Sequence, residues 1–230
     1  MRSVITAAAI ATASMLTSSV HAGQTSLAFT SATGLEGLGS FTGSMNWNYA
    51  GGSATSGYLT ISLTNTSSMA GYLTAFAFNG PSAGVTYGLQ TTSAPAESFG
   101  MIGGGANPAG LISASPWDAY DVGASVSNQW LGGGSPKKGL QVGETGTYVF
   151  NVNAVASLLA GFDVLSFFAD NGDSPEFAVR FRGFANGGSD KVGGLMSASP
   201  PPTIVPVPLP VALAAAGLLL GFAVRRRAVR

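Results

Sequence analysis

Apolar side chains recur at every second position in short runs along this chain, and that period of two constrains the fold more than any other feature. Leu59, Ile61 and Leu63 alternate with Thr60 and Ser62 beside Tyr58. Phe177, Val179, Phe181 and Gly183 alternate in the same way with Ala178, Arg180, Arg182 and Phe184. Such runs predict short strands over 26–30, 57–63, 72–78, 85–90, 98–102, 147–152, 164–169 and 177–184. The turn-forming stretch 64–71 makes 57–63 and 72–78 an antiparallel pair. One helix is predicted, over 153–160, capped by Asn153 and stopped by Gly161. Parallel α/β folds need repeated amphipathic helices of 10–15 residues, which this chain does not supply. The expectation is an all-β body, an antiparallel β-sandwich or jelly-roll-like domain with one short helix.

Glycine reinforces this reading, since 33 of the 230 residues are Gly. The runs Gly103-Gly104-Gly105 and Gly132-Gly133-Gly134 mark corners between strands. Neither is a phosphate cradle, because the Lys-Ser/Thr of a P-loop does not follow at the required spacing. The full chain has zero formal net charge. Its body from 23 to 203 instead carries five cations (Lys137, Lys138, Arg180, Arg182, Lys191) against all ten acidic residues, a net of −5. A charge-poor, acidic body argues against nucleic acid as a partner, because phosphate contacts need clustered Lys and Arg.

The two ends differ from the body. Arg2, an apolar stretch over 4–16 and Val20-His21-Ala22 read as a secretory signal peptide over 1–22, cut between Ala22 and Gly23 by a signal peptidase. The domain is then expected over 23–196, followed by a Pro-rich spacer at 197–204. Residues 205–230 comprise an alternating proline motif, an uncharged stretch over 211–224 and the cluster Arg225-Arg226-Arg227. At about 1.5 Å per residue the uncharged stretch is short for a bilayer, unless the proline run also enters it and the arginines snorkel. The expectation is a C-terminal transmembrane helix with its arginine stop on the cytoplasmic side.

Val207-Pro208-Leu209-Pro210, the apolar stretch and the arginine cluster together resemble the tripartite PEP-CTERM sorting signal in its VPLPA-like variant, with Val211 where Ala is usual. The resemblance implies an exosortase-like sorting protease as partner and transient residence in the inner membrane. A membrane-anchored precursor would then reach the cell surface or the extracellular space. It covers about 25 terminal residues and says almost nothing about the chemistry of the body.

That chemistry is bounded mainly by what is missing. The chain has no cysteine, which removes thiol nucleophiles and Cys-ligated metal. Its one histidine, His21, lies within the signal peptide. A mature chain without histidine cannot assemble a Ser-His-Asp triad or a His-ligated metal centre. Carboxylate chemistry survives: Asp163, Asp170, Asp173 and Glu176 could host a glycosidase pair. The loop Asp170-Asn171-Gly172-Asp173-Ser174-Pro175-Glu176 also offers oxygen donors to calcium through Asp170, Asn171, Asp173 and Glu176, the one cofactor the sequence brings into view. An ordinary polar turn accounts for the same residues. Trp47, Trp117, Tyr120 and Trp130, with Tyr49 nearby, lie among polar and Gly-rich segments and suggest a carbohydrate-stacking platform. Asp118 and Asp121 stand beside two of them as a further oxygen or sugar site. Core or rim packing explains such aromatic residues more often. The leading expectation is an exported, surface-sorted, non-enzymatic protein of the cell envelope or extracellular matrix. A calcium- or carbohydrate-binding module and a carboxylate-based glycosidase are the alternatives, with exopolysaccharide the partner of either.

Overall fold

The computed structural model describes residues 25–197, apart from residues 33, 93, 107, 132, 133, 170 and 171. Twelve strands are present among them. They are β1 (Ser26–Ser31), β2 (Phe41–Asn48), β3 (Ser56–Asn65), β4 (Tyr72–Phe78), β5 (Thr86–Thr92) and β6 (Gly100–Gly103). The remainder are β7 (Ile112–Ser113), β8 (Ala119–Tyr120), β9 (Val122–Ser125), β10 (Thr145–Asn153), β11 (Phe177–Arg182) and β12 (Ser189–Met196). Ten of them form one antiparallel sheet in the order β5-β10-β3-β2-β1-β12-β11-β4-β9-β6, while β7 and β8 make a separate ribbon. The ten-stranded sheet folds over at β12, so that two halves enclose a common core. Its two edges approach where the Tyr87 amide on β5 donates to the Gly104 carbonyl just past β6, at 2.8 Å. The result is a sandwich that is nearly a barrel.

The alternation seen in the sequence decides which side of each strand faces the core. Leu59, Ile61 and Leu63 are fully buried while Tyr58 is 43% exposed. β2 follows the same rule, burying Phe41, Met45 and Trp47 and exposing Thr42, Ser44, Asn46 and Asn48. Phe177 sits at the hub of an aromatic core. Its ring centroid lies 4.7 Å from Phe29, 5.7 Å from Phe76, 6.1 Å from Phe41, 6.2 Å from Phe78 and 6.3 Å from Phe168. These rings come from both halves of the sheet, so Phe177 joins the two layers.

Polar side chains close the loops around that core. Asp190 on β12 is buried, and its carboxylate accepts from the amides of Glu36, Leu38, Gly39 and Lys191 at 2.8–2.9 Å. Asn65 is equally buried. Its amide nitrogen donates to the carbonyls of Gly71 and Leu140, and its oxygen accepts from the Ser67 amide. That staple turns the chain from one half of the sheet towards the other.

Several expectations are corrected here. β3 and β4 do not pair; β3 lies between β10 and β2, and β4 between β11 and β9. The helix predicted over 153–160 shrinks to α1 (Ala156–Leu159), because β10 extends through Asn153 and Val155 takes the N-cap position. The strand predicted over 164–169 is a 3-10 turn at Val164–Phe167, started by a reciprocal capping box between Asp163 and Ser166.

The C-terminal transmembrane helix is also corrected. No helix among the described residues is long and apolar enough to cross a membrane. The α-helix present has four residues, about 6 Å of rise against roughly 30 Å of hydrocarbon. Among the described residues the fold is an antiparallel β-sandwich with one short helix and no membrane-spanning helix, and the expected transmembrane helix is withdrawn together with the membrane-anchored precursor built on it. Residues 205–230, where it was expected, lie outside the described residues. So do the Ala22–Gly23 cleavage pair, the Val207–Pro210 motif and Arg225–Arg227.

Burial has a consequence for alkaline stability. The Tyr148 phenol is held well above its usual range by burial, and that of Tyr87 by burial and then by the charge of Asp121. Both groups keep their protons in the folded state where an unfolded tyrosine would lose them. Their contribution is fully present below the ordinary tyrosine value of about 10 and is lost as the pH climbs above it. Stability should therefore fall steeply above about pH 10, with tyrosinate absorbance appearing together with loss of near-ultraviolet circular dichroism. Tyrosinate rising to its full value while the fold persists would contradict this.

Candidate functional site

The outer face of the β11-β4-β9-β6 half of the sheet is small-sided, and a second layer of chain covers it. Ala75, Ala77 and Ala178 leave room there for Ile112, Ala114, Tyr120 and Trp130, which form a minor core with Trp117 packed against it. Two loops supply these side chains, one carrying β7 and β8 and the other running from β9 through Trp130. An open groove of about 410 Å³ lies between them, bounded by Met101, Ile102 and Gly103 of β6. A smaller depression of about 250 Å³ sits at the far end of β4, around Tyr72 and Gln141.

Two cations position the loops that flank the larger groove. Arg180 and Lys191 are directly opposed in the β11–β12 register. The Arg180 guanidinium donates through Nη1 to the Trp130 carbonyl at 2.6 Å, and the Lys191 ammonium donates to the Ser115 carbonyl. Burial lowers the affinity of both groups for their protons. A neighbouring cation lowers it further, Arg182 for Arg180 and Arg180 for Lys191. Asp121 ties the base of the first loop, accepting from the Gly110 amide at 2.7 Å and the Gly80 amide at 3.3 Å.

The groove itself is neutral. Its walls present Leu111 and Leu131, 59% and 56% exposed, together with the Ser113 hydroxyl and the Asn128 and Gln129 amides. Asn128 adopts a left-handed backbone conformation (φ 58°), which turns the loop outward at the rim. Exposed aliphatic surface beside uncharged donors and acceptors suits a ligand with apolar faces and hydroxyl edges. No carboxylate is among the described residues that line the groove.

The aromatic residues singled out in the sequence are placed mainly inside. Trp47 is a core residue, 4.9 Å from the Phe167 ring and stacked on Tyr49 at 6.4 Å. Tyr120 is fully buried, with its hydroxyl donating to the Pro175 carbonyl at 2.6 Å. Trp130 is buried at the base of the groove, its indole nitrogen unpartnered, and Trp117 is half-buried. The structure brings Trp117, Tyr120 and Trp130 together but leaves Trp47 in the other core cluster.

The carboxylates are mostly committed to the fold. Asp163 caps the 3-10 turn, Asp121 holds loop amides, and the Asp118 carboxylate accepts from the Ser174 hydroxyl at 3.4 Å. Asp173 is exposed and Glu176 half-buried, while Asp170 and Asn171 lie outside the described residues. Among the described residues no three His, Cys, Asp or Glu side chains gather to hold a metal ion. Sequence reasoning missed Ser113, Asn128, Gln129 and Leu131, because two separate loops bring them together and no spacing announces it.

No family model matches the chain, and no curated protein matches it. Solved structures to which the chain is weakly similar include a biomass-sensing module of an Rsgi-like protein of Clostridium thermocellum, described as resembling a family 3 carbohydrate-binding module of the cellulosome. It shares 11% identity over 68% of this chain and 91% of its own, with a TM-score of 0.34. The corresponding module of Rsgi2 from the same organism shares 13% identity over 62% and 91%, at 0.35. A CBM3 from Hungateiclostridium clariflavum shares 9% over 68% and 98%, at 0.31. Identities near a tenth and TM-scores below 0.5 leave the functional reading to the residues of this chain.

Proposed function

We propose that this protein is an exported, non-enzymatic glycan-binding module of the cell envelope or extracellular matrix. The groove between β6, β7 and the Asn128–Leu131 loop is its binding site. One observation carries the reading: the groove pairs exposed aliphatic side chains with amides and a hydroxyl, and no ionisable group is among the described residues that line it. A sugar ring offers the complementary surface, apolar C–H faces rimmed by hydroxyls. Glycosidic hydrolysis needs two carboxylates flanking the bond, and this lining supplies neither. The signal peptide read at 1–22 supplies the route out of the cell, with signal peptidase as the processing partner.

Calorimetry with cellohexaose and xylohexaose tests the reading. Binding is expected to at least one, and the Gln129→Ala/Leu111→Ala double variant should weaken it about tenfold, equivalent to about 1.4 kcal/mol. The sugar should be recovered intact. New reducing ends that depend on the protein would contradict the non-enzymatic reading, and silence with both sugars would remove the groove as a glycan site.

A further inference from the structure

The outer face of the other half of the sheet has a property unusual for an exposed surface. The strands β5, β10, β3, β2 and β1 contain no Asp, Glu, Lys, Arg or His at any position. Antiparallel sheets facing water usually carry charge on the outward side, and edge strands carry it to block association. Here most outward positions are hydroxyls and amides instead, with Ala28, Tyr58, Gly88 and Val149 among them, and the register aligns the polar groups in ranks. Thr30, Thr42, Thr64 and Thr145 are successive cross-strand partners, so four threonines stand in one row across β1, β2, β3 and β10. Ser44, Ser62 and Thr147 form the next row, and Asn46 and Thr60 continue the pattern one step further.

These groups are accessible and partly organised already. Thr42, Ser44, Asn46 and Asn48 are all exposed. Hydroxyls pair across strands between Thr64 and Thr145 at 2.7 Å and between Ser62 and Thr147 at 3.3 Å. Tyr58 stands among them, 43% exposed, between Asn48 and Asn151 in the register. Asn151 is paired on its other side with Gly88, where a side chain would meet only open space. A phenol ring and a side-chain gap therefore adjoin the threonine rows.

We propose that this face is a second docking surface, and that its occupant is the surface of a neutral polysaccharide. The chemistry selects against the other candidates. Nucleic acid and anionic lipid need cations, and the five strands hold none. A second copy of the chain would bury hydroxyls and amides against one another, without the apolar centre that stable interfaces have. A neutral, polyhydroxylated chain meets strands spaced about 4.8 Å apart with donors and acceptors at each step, and encounters no charge to desolvate. The surface shares the glycan reading of the groove but stands on separate residues.

Pull-down of the full-length protein on microcrystalline cellulose and on chitin tests it. Binding to at least one is expected, with little change between about 50 and 500 mM NaCl because no ion pairs form. Ser44→Lys/Ser62→Lys places two charges on the face and should lower the bound affinity about tenfold or more. Thr42→Val/Thr64→Val removes two hydroxyls while keeping β-branched shape, so it controls for folding and should weaken binding about threefold. Both face variants are compared in the Gln129→Ala/Leu111→Ala background, which removes the groove's contribution, and their effects should persist there. Face substitutions without effect in that background, a strong salt dependence, equal binding by both face variants, or no binding to either polymer would overturn the second surface. Loss of oligosaccharide binding with retained pull-down would instead remove the groove.

Discussion

Replacing Phe177 by alanine should cost about 3–5 kcal/mol of stability, read as a shift in the denaturation midpoint at constant slope. The side chain is fully buried and touches five other rings drawn from both halves of the sheet. Truncation removes the apolar transfer energy of the ring. It also opens a cavity that neighbours on rigid strands cannot close, so the loss lies at the upper end of large-to-small substitutions. Domains of this size have about 5–15 kcal/mol in total, and a large fraction would go. Phe177→Leu retains most of the volume and should cost under half as much. A loss below about 1.5 kcal/mol for the alanine variant would mean the two layers are not joined through this residue.

The second large effect is expected at Asp190. Its carboxylate is the acceptor for four backbone amides, three of them in the segment Glu36–Gly39, which it ties to the end of β12. A Cβ at Gly34 would collide with that carboxylate, so the chain is drawn close around it. Asp190→Ala leaves these partly buried donors without their acceptor. Hydrogen bonds to a charged acceptor contribute about 1.5–3 kcal/mol each but are not additive, and the loss should be about 3–4 kcal/mol. Asp190→Asn keeps one acceptor oxygen and should recover part of it. Hydrogen exchange supplies the local readout: the amides of Glu36, Leu38 and Gly39 should lose protection in the alanine variant well before the core does. Unchanged protection there would show that the segment is held by something else.

The strands were legible where alternation was clean and long. Period two announces β3, β4 and β11 within one or two residues. β2 obeys the same rule, with Phe41, Met45 and Trp47 inward, yet Gly43 and four amide or hydroxyl residues give it the composition of a loop. β12 was hidden more thoroughly, because Asp190, Gly193 and Gly194 read as a turn. It is a strand because its partners β1 and β11 pair on both sides. The 3-10 turn after Asp163 carried a local signal in the Asp-x-x-Ser spacing, which the apolar run Val164–Phe167 outweighed. Pairing could not be read at all. The turn formers between β3 and β4 suggest a hairpin, whereas the Asn65 staple sends the chain across to the opposite half of the sheet.

The candidate site was less legible than the fold, for a related reason. Polar, Gly-rich flanks suggest that Trp47 and Trp130 are exposed, but such flanks equally describe a strand with a polar outer face and a loop lying on a layer of alanines. Both tryptophans are buried, and the groove is walled instead by Leu111, Ser113, Gln129 and Leu131. The uncharged outer face was written plainly in the composition of five strands. Its meaning depends on a register that aligns Thr30, Thr42, Thr64 and Thr145, and no single strand contains that information.

Backbone amide shift mapping of the isotopically labelled protein during titration with cellohexaose or xylohexaose tests the central claim most directly. Saturable shifts concentrated at Leu111–Ser113 and Asn128–Leu131, with the sugar unchanged at the end, are the predicted result. An absence of shifts with both sugars, shifts centred on Asp163, Asp173 and Glu176, or cleavage of the ligand would contradict a non-enzymatic glycan-binding module.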